Sequence, residues 1–91
     1  MRIDKYLKLA RLVKRRTAAQ EMIELGAVRI DGRECKPSSE VREGSILDIA
    51  YINRVLKVKV TCADEAILRR PKVISWEQLE ERQVKPDEKP F

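Results

Sequence analysis

The sequence predicts a fold of the mixed α/β class in its α+β form, with two helices at the N-terminus and short strands after them. Three observations predict it. Apolar residues recur at helical spacing through the first 25 positions, Asp31-Gly32 breaks a strand-like run with a two-residue turn, and Leu56, Val58 and Val60 alternate with Lys57 and Lys59. Ninety-one residues suffice for one small domain with a modest core. We place that domain at residues 1–62 and a C-terminal extension at 63–91.

In the first helix Ile3, Tyr6, Leu7 and Ala10 stand at i, i+3, i+4 and i+7, which gathers them on one apolar stripe. At about 100° per residue, Arg2, Lys5, Lys8 and Arg11 fan across the opposite side. Asp4 lies in the first turn, where the helix dipole favours a carboxylate.

The second helix runs over about 15–25. Ala18, Met22 and Leu25 share a face, with Ala19 and Ile23 beside it. Thr17 and Gln20 fit a capping box that would start the helix at Thr17. A start one turn earlier fits equally, and either way Lys14, Arg15 and Arg16 stand at a helix N-terminus. Free backbone N–H groups there add to the side-chain charge in attracting phosphate, whereas helix stability alone disfavours cations at that end.

Gly26 ends this helix as a C′ glycine. Strands at 28–30 and 33–36 flank the Asp31-Gly32 hairpin turn, and Pro37-Ser38-Ser39 breaks the second of them. A third strand at about 46–52 reverses at Asn53-Arg54 into a fourth at about 55–61. The tail is expected to hold a short helix from Ser75 to about Arg82, because Ser75 with Gln78 fits a capping box and Ile74 with Leu79 a hydrophobic staple. Trp76 either stacks on a base or docks on the sheet, and docking is favoured. Residues 86–91 are expected to be disordered.

The net charge of +5 is unevenly placed. Residues 1–16 hold seven bases and one acid, 17–36 three bases and four acids, and 37–91 ten of each. A cationic end on a neutral remainder points to a polyanionic partner. The absence of histidine removes the usual general base and the common metal ligand. Cys35 and Cys62 form no CxxC pair and read as reduced, packed residues. The glycines Gly26, Gly32 and Gly44 make no phosphate loop. Carboxylates are plentiful, but so short a chain offers no deep cleft to desolvate a pair. We therefore expect neither an enzyme nor a cofactor. No signal-peptide or membrane-spanning run occurs, so a cytoplasmic protein is expected. With few aromatics and no GxxG clamp, recognition of RNA phosphate and shape is what remains.

Arg2-Ile3-Asp4, Leu7, Arg16, Ala19, Ile23, Gly26, Val28, Ile30 and Asp31-Gly32 follow the spacing of a known family. Over about residues 1–61 the chain resembles the S-four (S4) RNA-binding domain. Within it, Arg2 to Lys5, Ala10-Arg11, Lys14 to Thr17, Glu21 to Ile23 and Lys36 to Ser38 resemble the stand-alone group of RqcP and the fifteen-kilodalton heat-shock proteins. The resemblance implies two helices packed on a small, mostly antiparallel sheet. It also implies a large-subunit-binding factor of ribosome-associated quality control, with large-subunit ribosomal RNA, peptidyl-tRNA and a tailing factor as partners. Such a factor steadies the tRNA during alanine tailing of the nascent chain, and it is expected to act as a monomer.

Carried over by position, Arg16 is the strongest phosphate contact, and Arg2 and Asp4 match the opening motif. Asp4 either orients a nearby arginine such as Arg16, bonds a ribose or base, or simply favours the helix dipole. Lys5, Lys8, Arg11, Lys14 and Arg15 are supporting contacts. Two departures stand out: Arg15 is basic where the relatives often are not, and the segment after Ala63 matches nothing we can place. The alternative functions are a ribosome assembly factor or constitutive ribosome component, and a detached accessory domain of an RNA-modifying enzyme.

Overall fold

The computed structural model describes residues 1–91. Helices α1 (Ile3–Leu9) and α2 (Arg16–Glu24) come first, followed by strands β1 (Val28–Ile30), β2 (Arg33–Glu34), β3 (Ile46–Ala50) and β4 (Arg54–Val60). A one-turn helix, α3 (Glu65–Leu68), and a strand, β5 (Trp76–Gln83), complete the chain. The five strands form one antiparallel sheet in the order β2-β1-β3-β4-β5.

Strand alternation sets the core. Leu47 pairs with Val58 and Ile49 with Leu56, and all four are buried in one cluster with Val28 and Val60. Ile3, Tyr6 and Leu7 of α1 and Ala19 and Ile23 of α2 close that cluster from the helical side. On α2 the apolar face lies one step round from the expected one. Ala19 and Ile23 are the buried pair, while Leu25, already past the last helical turn, is exposed. The hairpin turn forms as expected, with Asp31 at φ 51° and Gly32 at φ 80°, both in the left-handed region that a two-residue turn requires.

The tail departs from expectation. Residues 76–83 are a strand, not a helix, because the outer edge of β4 offers unpaired backbone groups and complementary charges. Glu80 lies opposite Lys57, Glu77 lies opposite Lys59, and Arg54 pairs with Glu81 at 3.2 Å. A register shift at Lys57/Val58 steps the pairing past Leu79. Neither capping box nor staple forms: Ser75 is buried, its carbonyl accepting from Thr61 N, Cys62 N and the Tyr6 hydroxyl, and Ile74 is exposed. The short helix sits earlier, at α3, where the Asp64 carboxylate caps Ala66 N and Ile67 N. Residues 86–91, expected to be disordered, hold no helix or strand, yet the Phe91 ring lies over the Arg29 guanidinium, 4.6 Å from its centroid. Both cysteines are free thiols, and no helix is long and apolar enough to cross a membrane.

Three aromatic side chains tie α1 and the turn after it to the ends of strands β3 and β5 and the segment before β5. Tyr6 donates its hydroxyl to Ser75 O at 3.0 Å, Trp76 Nε1 donates to Ala10 O at 3.1 Å, and the Tyr51 hydroxyl donates to Leu12 O at 2.6 Å. Trp76 is thus docked, half-buried, with its polar edge satisfied. Replacing Tyr6 by Phe should cost about 1 kcal/mol, the usual net worth of one hydrogen bond. Urea unfolding of the two proteins measures it, and an unchanged midpoint would mean that the bond does not hold the tail.

Candidate nucleic-acid interface

The charged end of the molecule is organised around one carboxylate. Asp4, on the inner side of α1, has no exposed surface. Its Oδ1 accepts from Lys5 N at 2.7 Å, and its Oδ2 accepts from Gln20 Nε2 at 2.9 Å, Arg16 Nε at 3.2 Å and Arg2 Nη2 at 3.2 Å. Burial alone would push this carboxyl up, but the Gln20, Arg16 and Lys5 donors together hold it below its ordinary value of 3.8. Asp4 is thus wholly buried and bonded to both arginines.

Gln20 was not legible as part of this site. It forms no capping box and instead reaches back across the helix pair to Asp4. The available signal was its i+4 spacing from Arg16, which puts both on one face of α2. Helix α2 starts at Arg16 with Arg15 as N-cap and no side chain capping it, one residue before Thr17 and short of a full turn earlier. Arg16 bonds Asp4 through Nε alone, its two terminal nitrogens have no protein partner on a half-exposed side chain, and the first turn of α2 has no side-chain cap. The N-terminus of α1 is different, since Ile3 N donates to Ser39 O and Asp4 N to Pro37 O.

The turn between the helices presents the next cations. Arg11 N donates to Lys8 O and Leu12 N to Leu7 O, the pair of bonds that closes a helix with a left-handed residue after its C-cap. Arg11 is that residue, at φ 63°. Helix α2 ends through the same two bonds, Gly26 N to Ile23 O and Ala27 N to Met22 O, with Gly26 at φ 77°. A strained arginine therefore holds a place that glycine fills without strain, and its charge points out at the helix end.

The eight expected residues fall into groups. Arg2, Asp4 and Arg16 are joined directly. Arg15 is exposed at the α2 N-cap. Lys5 is drawn aside by an ion pair with Glu65 of α3, which holds the Glu65 carboxyl below its usual range. Lys8, Arg11 and Lys14 border an open depression whose far side is Leu68, Arg69 and Arg70. Arg69 and Arg70 were missed because the extension is balanced in charge; the cue was three bases within Arg69-Arg70-Pro71-Lys72. Lys57 lies elsewhere, on the sheet, 3.9 Å from Asp48.

The model of the S4 domain matches residues 1–47, which span both helices, the turn between them and the hairpin. The chain belongs to the S4 domain family. This S4 protein is 33% identical over 88 residues to the RQC P-site tRNA stabilizing factor of Halalkalibacterium halodurans, covering 97% of this chain and all of the relative. The factor of the same name from Bacillus subtilis is 42% identical over 60 residues, covering 66% of this chain and 70% of the relative. Heat shock protein 15 of Escherichia coli is 39% identical over 71 residues, 78% of this chain and 52% of that protein. Among solved structures, trimeric heat shock protein 15 of Vibrio cholerae superposes with a TM-score of 0.78 at 27% identity, over 87% of this chain and 81% of that one. The S4 match stops short of β4, α3 and β5, so the sheet's outer half and the Arg69-Arg70 pair lie outside the family motif.

Two predictions follow from the geometry of the S4 helices. Asp4→Asn should destabilise the fold by roughly 1–3 kcal/mol near neutral pH, toward the lower end because Arg2 and Arg16 are half-exposed. A depressed carboxylate contributes stability above its unfolded value that is lost as the pH falls through its folded value. The gap between the two proteins should therefore begin to narrow near pH 4, the ordinary Asp value, and close only at lower pH, past the folded-state value; denaturant titrations at several pH values check this, and a constant gap would contradict it. Arg11→Gly should gain about 0.5–1 kcal/mol of stability by relieving the left-handed arginine, while weakening binding to RNA. Thermal unfolding and filter binding measure the two effects separately.

Proposed function

We propose that this S4 protein is an RNA-binding factor of ribosome-associated quality control, acting in the cytoplasm on the large ribosomal subunit after a stalled ribosome has split. It binds large-subunit ribosomal RNA and peptidyl-tRNA, and holds the tRNA in place while the tailing factor adds C-terminal alanine to the nascent chain. It works by binding and not by catalysis, as a monomer.

The observation that carries this reading is the half-exposed guanidinium of Arg16 at the uncapped start of α2, bonded through Nε to a buried Asp4 with both terminal nitrogens free. Side-chain orientation is fixed before RNA arrives, so little rotamer entropy is lost on binding. Two terminal N–H groups and the helix N-terminus then meet a phosphate together. Arg2, held by the same carboxylate, and Arg15 extend the contact along the backbone. The similarity to RQC P-site tRNA stabilizing factors, which runs through almost the whole chain, supports tRNA as the partner. Heat shock protein 15 of Vibrio cholerae is trimeric, so light scattering of the free protein tests the monomer directly.

Arg16→Ala should weaken binding to purified large subunits by roughly 1–3 kcal/mol, while Lys57→Ala, which only loses a sheet-face ion pair, should leave it unchanged. Affinity should also fall steeply with salt as phosphates are neutralised and counterions released. On a gradient the protein should co-sediment with free large subunits that carry tRNA. Equal effects of the two substitutions, or enrichment on particles lacking tRNA, would overturn the reading.

A further inference from the structure

We propose that the depression between the end of α1 and α3 is a second phosphate-binding subsite, in which Arg69 and Arg70 join Lys8, Arg11 and Lys14 to hold further phosphates of the RNA backbone. This deepens the RNA-binding reading above and rests on it. The seven residues lining the depression are these five cations with Leu9 and Leu68, and none is an acid. Lys8, Arg11, Lys14 and Arg70 have no carboxylate within ion-pairing distance; Arg69 alone reaches one, Glu65, at 3.6 Å.

Both walls are built rather than loose. Leu68 is buried in the main core and Asp64 caps α3. The Lys5–Glu65 ion pair ties α3 to α1. On the other side, Trp76 and Tyr51 hold Ala10 O and Leu12 O, which flank Arg11. Facing cations repel one another, so folding stability does not account for five of them converging on one recess. No aromatic side chain lines the recess, so it suits phosphate groups and not stacked bases. Arg2 and Lys8 stand six residues apart on α1, roughly 9 Å along its axis. The two subsites thus adjoin, since Lys14 of the second directly precedes Arg15 and Arg16 of the first. An acidic protein surface is the competing occupant of such a patch.

Binding of an unmodified tRNA transcript and of purified large subunits is measured across a salt series for wild type, Arg69→Ala/Arg70→Ala, Arg16→Ala and the control Lys59→Ala. Arg69 and Arg70 are exposed, and Arg69→Gln/Arg70→Gln keeps polar stems should the alanine pair unfold. The double variant should bind about 10- to 100-fold more weakly, with the logarithmic salt slope reduced by about 2. Lys59→Ala should match wild type. If Arg16→Ala weakens binding while the double variant stays at wild-type affinity for both RNAs, the second subsite is overturned and the patch is left to a protein partner. If Arg16→Ala is also without effect, the RNA-binding reading itself fails.

Discussion

A single buried carboxylate makes the charged end of this protein a defined surface. Two helices that both carry cations toward one place would repel, and each arginine would sample many rotamers in water. Asp4 removes both problems at once, because one oxygen collects donors from α1 and from two positions of α2. The cost of burying its charge is offset by four hydrogen bonds, and the carboxyl stays ionised as a result. With Nε of Arg16 occupied, the two terminal nitrogens of its half-exposed guanidinium stay free. The cationic face is thus set from beneath by an anion that solvent never sees.

Around that centre, local chemistry divides between structure and binding in a way the two helix ends make visible. The same pair of C-terminal hydrogen bonds closes α1 and α2, yet a glycine serves at α2 and an arginine at α1. Left-handed arginine is tolerated because the flanking residues are tied down by Trp76 and Tyr51. A stable sheet therefore lets the turn between the helices carry charge in a strained conformation. The C-terminal extension has the same double role. Its strand β5 covers the edge of β4, and its helix α3 draws Lys5 aside while carrying Arg69 and Arg70 toward the turn.

Much of this was written locally in the chain. Apolar spacing placed α1 and α2, the Asp31-Gly32 pair placed the hairpin, and the strict alternation of Leu56, Val58 and Val60 assigned the inward face of β4. Those signals depend on backbone period and turn chemistry, which neighbours in sequence supply by themselves. The cluster of bases in the first sixteen residues was equally plain, since charge is read by counting.

Pairing across distance belonged to the folded molecule. Ser75 to Gln83 has the local marks of a capped helix, yet β4 supplied an open edge and oppositely charged partners, and seven residues of that strand outweighed one cap. Gln20 likewise looked like half of a capping box until α1 brought Asp4 within 2.9 Å of it. Arg69 and Arg70 sit in a stretch of balanced charge, and only the docking of α3 beside α1 sets them next to Lys8 and Arg11. Helical period, turns and net charge are properties of nearby residues and survive without the rest of the chain. Edge pairing, the orientation of Arg16 and the grouping of distant cations exist only once remote segments have packed, because each depends on a partner that sequence proximity does not provide.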